Sequence, residues 1–323
     1  MKYRVLGRTG LKVSEIGFGL SPISNWTGSA DSQSIAALQR SLELGCNFFD
    51  TAWDYGRGHS DKLLGQLIKD NPGKAIIVAD KIPPKNLKWP ATPEYSLDEV
   101  FPRDHVIEYT ERILELLSIP AVDVMQFHVW DDSWTEDEQW QRVVADLKSQ
   151  RLIKWFGLSL NRWEPWNGIR AIRTGLVDVV QVIYNIFDQA PEDELFPLCA
   201  EMDVGVIARV PLDEGGLSGT LTRETRYPDK DWRAMYFGPE NLAPTVERAE
   251  ALKKITPAGM DLAEMALRFI LTNKSVSATI VGMRSLDHVE QDISYSDGGV
   301  LSPALFAELR DHRWDREATP WSD

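Results

Sequence analysis

The chain has 323 residues, a formal net charge of −14 and 43% hydrophobic residues, enough apolar side chain to bury a substantial core. That acidity excludes a general nucleic-acid or anionic-membrane surface, because either partner would be repelled, and any anion site must be local. The 2 cysteines, Cys46 and Cys199, lie far apart in apolar segments and read as core residues of a reducing compartment. No apolar run of signal length follows MKYRVLGRTG, and none approaches the roughly 18 to 20 residues of a membrane span, so a cytoplasmic protein is expected.

Residues 3 to 14 predict a hairpin, followed by a strand over 15 to 19. A helix over 33 to 44 puts Ile35, Leu38 and Leu42 on one face, with Gly45 as its stop. The strand over 46 to 51 precedes a helix over 61 to 69 behind a Ser60 cap. The strand over 75 to 81 runs into an irregular stretch over 82 to 102, then a helix over 103 to 117 with Val106, Tyr109, Ile113 and Leu116 in register. A strand over 122 to 128 precedes a helix over 136 to 149 carrying Trp140, Val143 and Leu147. Strands follow over 155 to 160, 178 to 184 and 205 to 211, then a stretch over 212 to 244 dense in Pro, Gly and charge, and a strand over 278 to 282. Strands alternating with helices, without a linker or composition break, predict an α/β chain. Residues 1–323 read as a single (β/α)8 TIM barrel with an N-terminal hairpin and long loops on the C-terminal face. A Rossmann fingerprint is lacking, since Gly17 and Gly19 are followed by Pro22 where the third glycine belongs.

Barrel closure gathers the strand ends, and with them Asp50, Tyr55, Lys81 and His128. A lone strand-end Asp is usually a turn residue, and a lone Lys or His is more often surface or satisfied core. Together they compose a proton-transfer site. A free phenol has a pKa of about 10, and bringing it toward neutrality asks the site for ~4 kcal/mol. Lys81 would stabilise the Tyr55 phenolate, Asp50 would keep Lys81 charged and oriented, and His128 would direct a substrate carbonyl. No side chain carries hydride, so a cofactor must. Trp26, Trp53, Trp89 and Trp130 all follow strands and are candidates to wall a pocket, or to pack loops onto the rim. No paired spacing accompanies His59 or His105, so no metal site is read.

The segments LGRTGLKVSEIGFG at 6 to 19 and FFDTAWDYGRGHSDKLLG at 48 to 65 resemble the opening signature of the aldo-keto reductase superfamily, and the similarity continues to about residue 292. The resemblance implies the same barrel, no metal, and NADPH extended across the C-terminal rim, with NADH the lesser alternative. It assigns the catalytic tetrad to Asp50, Tyr55, Lys81 and His128. It places Ser159 and Gln181 on the nicotinamide amide, with Asn161 substituting for an asparagine displaced by Leu160 in GLSLN. Leu212, Gly216 and Leu217 fall in the loop along the pyrophosphate. The segment GMRSLDHVEQD supplies Gly282, Arg284, Ser285, His288, Gln291 and Asp292 for the adenosine half, where a guanidinium fork, a hydroxyl and helix-terminal amides suit a 2′-phosphate. His288 and Asp292 depart from the residues usual in the family.

Arg209 stands in ARVPL where the family usually has an aromatic residue stacked on the nicotinamide. A planar guanidinium stacks too, but its charge disfavours the cationic oxidised ring and favours carbonyl reduction. The expected function is therefore NADPH-dependent reduction of a small-molecule aldehyde or ketone, with Tyr55 as general acid. Two other readings stay open: a cofactor-binding regulatory subunit with very slow turnover, and a lyase forming a Schiff base on Lys81. Substrate identity and oligomeric state are not legible.

Overall fold

A computed structural model of the chain describes residues 1–24, 30–228 and 231–317. Strands β1 (Tyr3–Val5) and β2 (Lys12–Ser14) form the antiparallel hairpin, Tyr3 opposite Ser14. The remaining strands are β3 (Ile16–Gly19), β4 (Phe48–Asp50), β5 (Ile77–Ile82), β6 (Val122–Phe127), β7 (Ile153–Ser159), β8 (Val179–Ile183), β9 (Gly205–Arg209) and β10 (Ala278–Gly282). They close into a parallel barrel in the order β10-β3-β4-β5-β6-β7-β8-β9. The predicted eight-stranded barrel is the observed fold.

The pleat explains where the polar residues go. Side chains alternate across a strand, so residues two apart share a face. Phe48, Ala79, Val124, Val179, Ile207 and Ala278 pack together inside the barrel with Leu6 and Val13 of the hairpin. A Cβ on Gly205, the first residue of β9, would stand 2.7 Å from Leu6, so the hairpin plugs the N-terminal end. Two positions further along the same inward face come Asp50, Lys81, Gln126, Gln181 and Arg209. Five of the eight strands, β4, β5, β6, β8 and β9, thus carry an apolar residue low in the barrel and a polar one toward its C-terminal mouth. Outside, the helices bury an apolar stripe against the strands; Leu38, Leu64, Val106, Ile113, Trp140, Val143 and Leu147 belong to this shell. Cys46 and Cys199 are free and buried there, and burial pushes their thiols up to about 11 and about 12.

Several boundaries differ from the sequence reading for local reasons. The second helix spans His59–Asp70 and starts at Gly58, whose φ is +84°. Ser60 is inside it, not its cap, and its Oγ meets Thr51 Oγ1 at 2.7 Å. The helix expected from 136 begins at Glu138, because the Asp137 carboxylate accepts from Gln139 N at 2.8 Å. Strand β9 ends at Arg209, not 211, because Val210 turns to φ +56°, a strained conformation for a β-branched residue. The stretch over 212 to 244 is not irregular throughout, since Arg233–Tyr236 is helical and a helix over Pro239–Lys253 begins within it.

Beyond the helix Pro303–Arg310 the chain runs back to the barrel mouth, where Trp314 N donates to the Phe187 carbonyl at 2.8 Å. The buried Arg316 guanidinium then joins two loops. It reaches Asp188 Oδ2 at 2.5 Å after β8 and Asp213 Oδ1 at 2.9 Å after β9, and donates to the Tyr236 hydroxyl at 3.0 Å. Removing one partner from such a network strands the others, a cost of about 3–5 kcal/mol. Arg316→Ala should lower unfolding stability by that order in urea titration; a loss below about 1 kcal/mol would show that the carboxylates find other partners.

Candidate active site

The centre of the barrel mouth is the Lys81 ammonium, which is fully buried. It donates to Asp50 Oδ1 at 2.6 Å and to the Thr51 carbonyl at 2.8 Å, and stands 3.4 Å from the Tyr55 hydroxyl. Asp50 and Lys81 come together because β4 and β5 are neighbours and both side chains point inward at the strand ends. The other Asp50 oxygen accepts from Gln181 Nε2 at 2.6 Å. His128 follows the last residue of β6, tied by its backbone N to the Ile82 carbonyl at 3.1 Å. Its ring lies edge-on to Tyr55, with centroids 5.8 Å apart, and edge-on to Trp89 at the same separation. All four expected residues therefore converge.

Their ionisation differs from the sequence expectation in one respect. Burial alone disfavours a charged Lys81, but the Asp50 carboxylate outweighs it and holds the ammonium above its ordinary pKa. For Tyr55 the balance falls the other way. Burial raises the phenol above its ordinary value, and the pull of Lys81 and Arg209 offsets this only in part. The expected acidified phenol is thus corrected to a protonated one beside a fixed cation. His128 is driven well below its ordinary value by burial and by the charges of Lys81 and Arg209, so its imidazole is neutral. The arrangement is a neutral proton donor, a neutral hydrogen-bonding ring and one buried cation.

A cavity of about 520 Å³ opens over Asp50 and Tyr55. Asp50, Tyr55, Gln181 and Arg209 line one part; Leu212, Gly215, Gly282, Arg284 and His288 also contribute. The sequence model of the Aldo/keto reductase family matches residues 15–313. The chain belongs to that family. It is similar to an L-galactose dehydrogenase from Arabidopsis thaliana, 28% identical, covering 91% of this chain and 88% of that one. It is also similar to an NADH-specific methylglyoxal reductase from Escherichia coli, 25% identical, covering 91% and 93%. Among solved structures, a glycerol dehydrogenase from Gluconobacter oxydans shares the fold with a TM-score of 0.78 at 22% identity, covering 98% and 97%. This aldo/keto reductase is accordingly a nicotinamide-dependent oxidoreductase.

The remaining predicted residues divide. Ser159 is buried at the end of β7, in register with Gln181. Asn161 does not line this cavity: its amide accepts from Ala91 N at 3.2 Å and donates to the Ala91 carbonyl and to Glu164 Oε2, each at 2.8 Å. Gly216 and Leu217 turn inward. A Cβ on Gly216 would stand 2.5 Å from Asp213 Oδ2, and Leu217 is core. Ser285 caps the helix Leu286–Ser294 by accepting from His288 N at 3.3 Å. Gln291 bonds Asp261 Oδ2 at 2.9 Å and the Tyr295 hydroxyl at 2.8 Å and is not among the residues that line the cavity. Asp292 is buried, and burial with nearby Asp261 pushes it up to about 7.

Of the tryptophans, Trp89 reaches His128. Trp53 instead packs edge-on against Tyr109 at 5.1 Å, and Trp130 is fully buried between Trp134 and Trp140, so neither is placed as a pocket wall. Trp26 lies outside the described residues. Sequence reasoning missed Arg162, Glu214, Tyr227 and Trp232, which all line the cavity. Arg162 follows β7 by three positions and was open to the same strand-end logic that found His128.

The buried, protonated phenol has a direct readout. Ultraviolet difference titration of the wild type against Tyr55→Phe should show no extra tyrosine ionising below pH of about 10. A Tyr55-specific transition near neutrality would contradict the balance of burial over lysine.

Proposed function

We propose that this aldo/keto reductase reduces aldehydes or ketones to alcohols with NADPH, Tyr55 donating the proton. The observation that carries the reading is the buried Lys81 ammonium, fixed between Asp50 and the Thr51 carbonyl and 3.4 Å from the Tyr55 hydroxyl. A reduced nicotinamide, if held in the cavity, would supply the hydride for the carbonyl carbon. As negative charge grows on the carbonyl oxygen, Tyr55 gives up its proton and Lys81 stabilises the phenolate left behind. His128, neutral, bonds the same oxygen and orients it. Net, one hydride and one proton add across the C=O bond.

The residues present suit the cofactor. Gln181 and Ser159 stand together at the mouth for the nicotinamide amide. Arg209 Nη2 is tethered to the Leu160 carbonyl at 3.1 Å, which suits a planar group held for a ring to stack on. Leu212 and Gly215 line the middle, and Arg284 with the Ser285-capped helix suits a 2′-phosphate, which favours NADPH over NADH. Lys81, held charged by Asp50, is a poor nucleophile, which disfavours the Schiff-base reading.

Tyr55→Phe should retain NADPH binding, followed by fluorescence quenching, and lose at least about 100-fold in kcat on an aldehyde panel. Unchanged turnover would refute the assignment, and uniformly slow wild-type turnover would favour a regulatory subunit. Because the phenol is raised, reduction should be flat with pH through neutrality and fall only as pH passes the Tyr55 pKa, whereas alcohol oxidation should climb with pH. If Arg209 disfavours the oxidised ring, Arg209→Tyr should shift the ratio of NADP+ to NADPH affinities toward NADP+. An unchanged ratio would dismiss that role.

A further inference from the structure

Two arginines share one wall of the cavity. Arg209 ends β9, and Arg162 follows β7. Arg209 Nη2 is tethered to the Leu160 carbonyl at 3.1 Å. Arg162 lies against the faces of Trp232 and Tyr236, its guanidinium carbon 5.3 Å and 5.1 Å from their ring centres. Contacts of this kind fix the plane of a guanidinium while leaving its edge N–H groups free to bond. Among the described residues, Arg162 Nη1 and Arg209 Nε are buried without hydrogen-bond partners. Buried charged donors without acceptors are costly, and few folds keep them except where a ligand completes them.

The charge balance of the wall points the same way. Lys81 is matched by Asp50 at 2.6 Å, and Arg233 by Asp231 at 2.6 Å. Arg162 and Arg209 share one carboxylate, Glu214, which reaches Arg162 only at 3.5 Å. The two cations repel each other, and burial together with Arg162 pulls Arg209 down to about 10. One more negative charge would relieve both. Its place is in the cavity that Tyr55 lines together with both arginines.

We propose that Arg162 and Arg209 together bind a carboxylate on the substrate, so that the preferred substrates are carbonyl compounds carrying an acid group. This rests on the reading of the site as a carbonyl reductase. A carboxylate accepts two parallel N–H bonds from a planar fork, and a guanidinium that offers its face to a ring keeps its N–H donors in its own plane. Arg209 can therefore stack and bind at once. The phosphates of the cofactor are the competing source of anion for the same donors.

The experiment separates these sources. In wild type, Arg162→Gln and Arg162→Lys, kcat/KM is measured for 2- and 4-carboxybenzaldehyde against benzaldehyde. NADPH affinity is measured by fluorescence quenching, and benzoate affinity by calorimetry. Arg162→Gln should lower the preference for at least one carboxylated aldehyde over benzaldehyde by about 10- to 100-fold, the loss of one charge-assisted pair. Benzoate should weaken with it, Arg162→Lys should recover part of both, and NADPH affinity should hold within about 2-fold. An unchanged preference for both acids would overturn the proposal, as would NADPH weakening by the same factor as benzoate. Should the wild type reduce none of the aldehydes, the carbonyl-reductase reading falls. Benzoate then decides the anion site alone: weaker binding in Arg162→Gln supports it, and equal binding overturns it.

Discussion

A lysine with no exposed surface at the mouth of a barrel is the constraint from which the rest of this site follows. An isolated ammonium in such a place would lose its proton or unfold the site, since desolvation costs several kcal/mol per ion. Asp50 prevents that, but only by being buried too, so the demand passes outward. Its second oxygen needs a donor and takes it from Gln181, 131 residues away on the opposite side of the sheet order. Lys81 needs another acceptor and takes the Thr51 carbonyl, while the Thr51 hydroxyl is held by Ser60 and Asp61. One charge thereby fixes the ends of β4, β5 and β8 relative to one another. Tyr55 is set on top of this assembly.

The same low dielectric that strengthens the Lys81–Asp50 pair determines which protonation state the phenol adopts. Burial penalises the phenolate more than Lys81 favours it, and the Asp50 carboxylate adds to the penalty. Tyr55 therefore rests protonated, and in the proposed reaction negative charge forms on it only as its proton leaves for a developing alkoxide. His128, kept neutral by the same burial and by two nearby cations, adds a hydrogen bond without competing for the proton. At neutral pH the phenol of such a site holds a proton to give, which is the state the proposed reduction requires.

The strands were legible because each carries a short apolar run ending in a turn signal, and the pleat then fixes what stands at the mouth. Asp50, Lys81 and Gln181 each lie two residues beyond an inward apolar residue, so their convergence follows from alternation and closure. What alternation does not specify is the path of a loop. Trp53 and Trp130 follow strands as Trp89 does, yet one joins the helical layer and the other an aromatic core. Asn161 and Arg162 are neighbours that point to different tasks, the first clamping Ala91 and the second lining the cavity. On the helix Leu286–Ser294, His288 and Gln291 are three positions apart, and packing against Asp261 and Tyr295 decides which one leaves the cavity. The phenol's direction of shift was missed for a similar reason: sequence names the neighbouring charge but not the depth of burial.

The loop after β9 shows how the far end of the chain reaches the site. Val210, Asp213 and Glu214 all have positive φ, at 56°, 47° and 55°, and such a run of side-chain-bearing residues persists only where surrounding contacts over-determine it. Those contacts come from two other loops and the C-terminal segment. Asn185 Nδ2 donates to the Val210 carbonyl at 3.0 Å, and Arg316 and Tyr236 both bond Asp213 Oδ1. The strain puts Glu214 and Gly215 on the cavity wall, and Glu214 is the one carboxylate near Arg162 among the described residues. Backbone strain, a buried arginine from the C-terminal segment and the unmet donors of the arginine pair are therefore parts of a single arrangement. The wall is held in shape by groups behind it, and it leaves the positive charge of Arg162 and Arg209 facing the cavity.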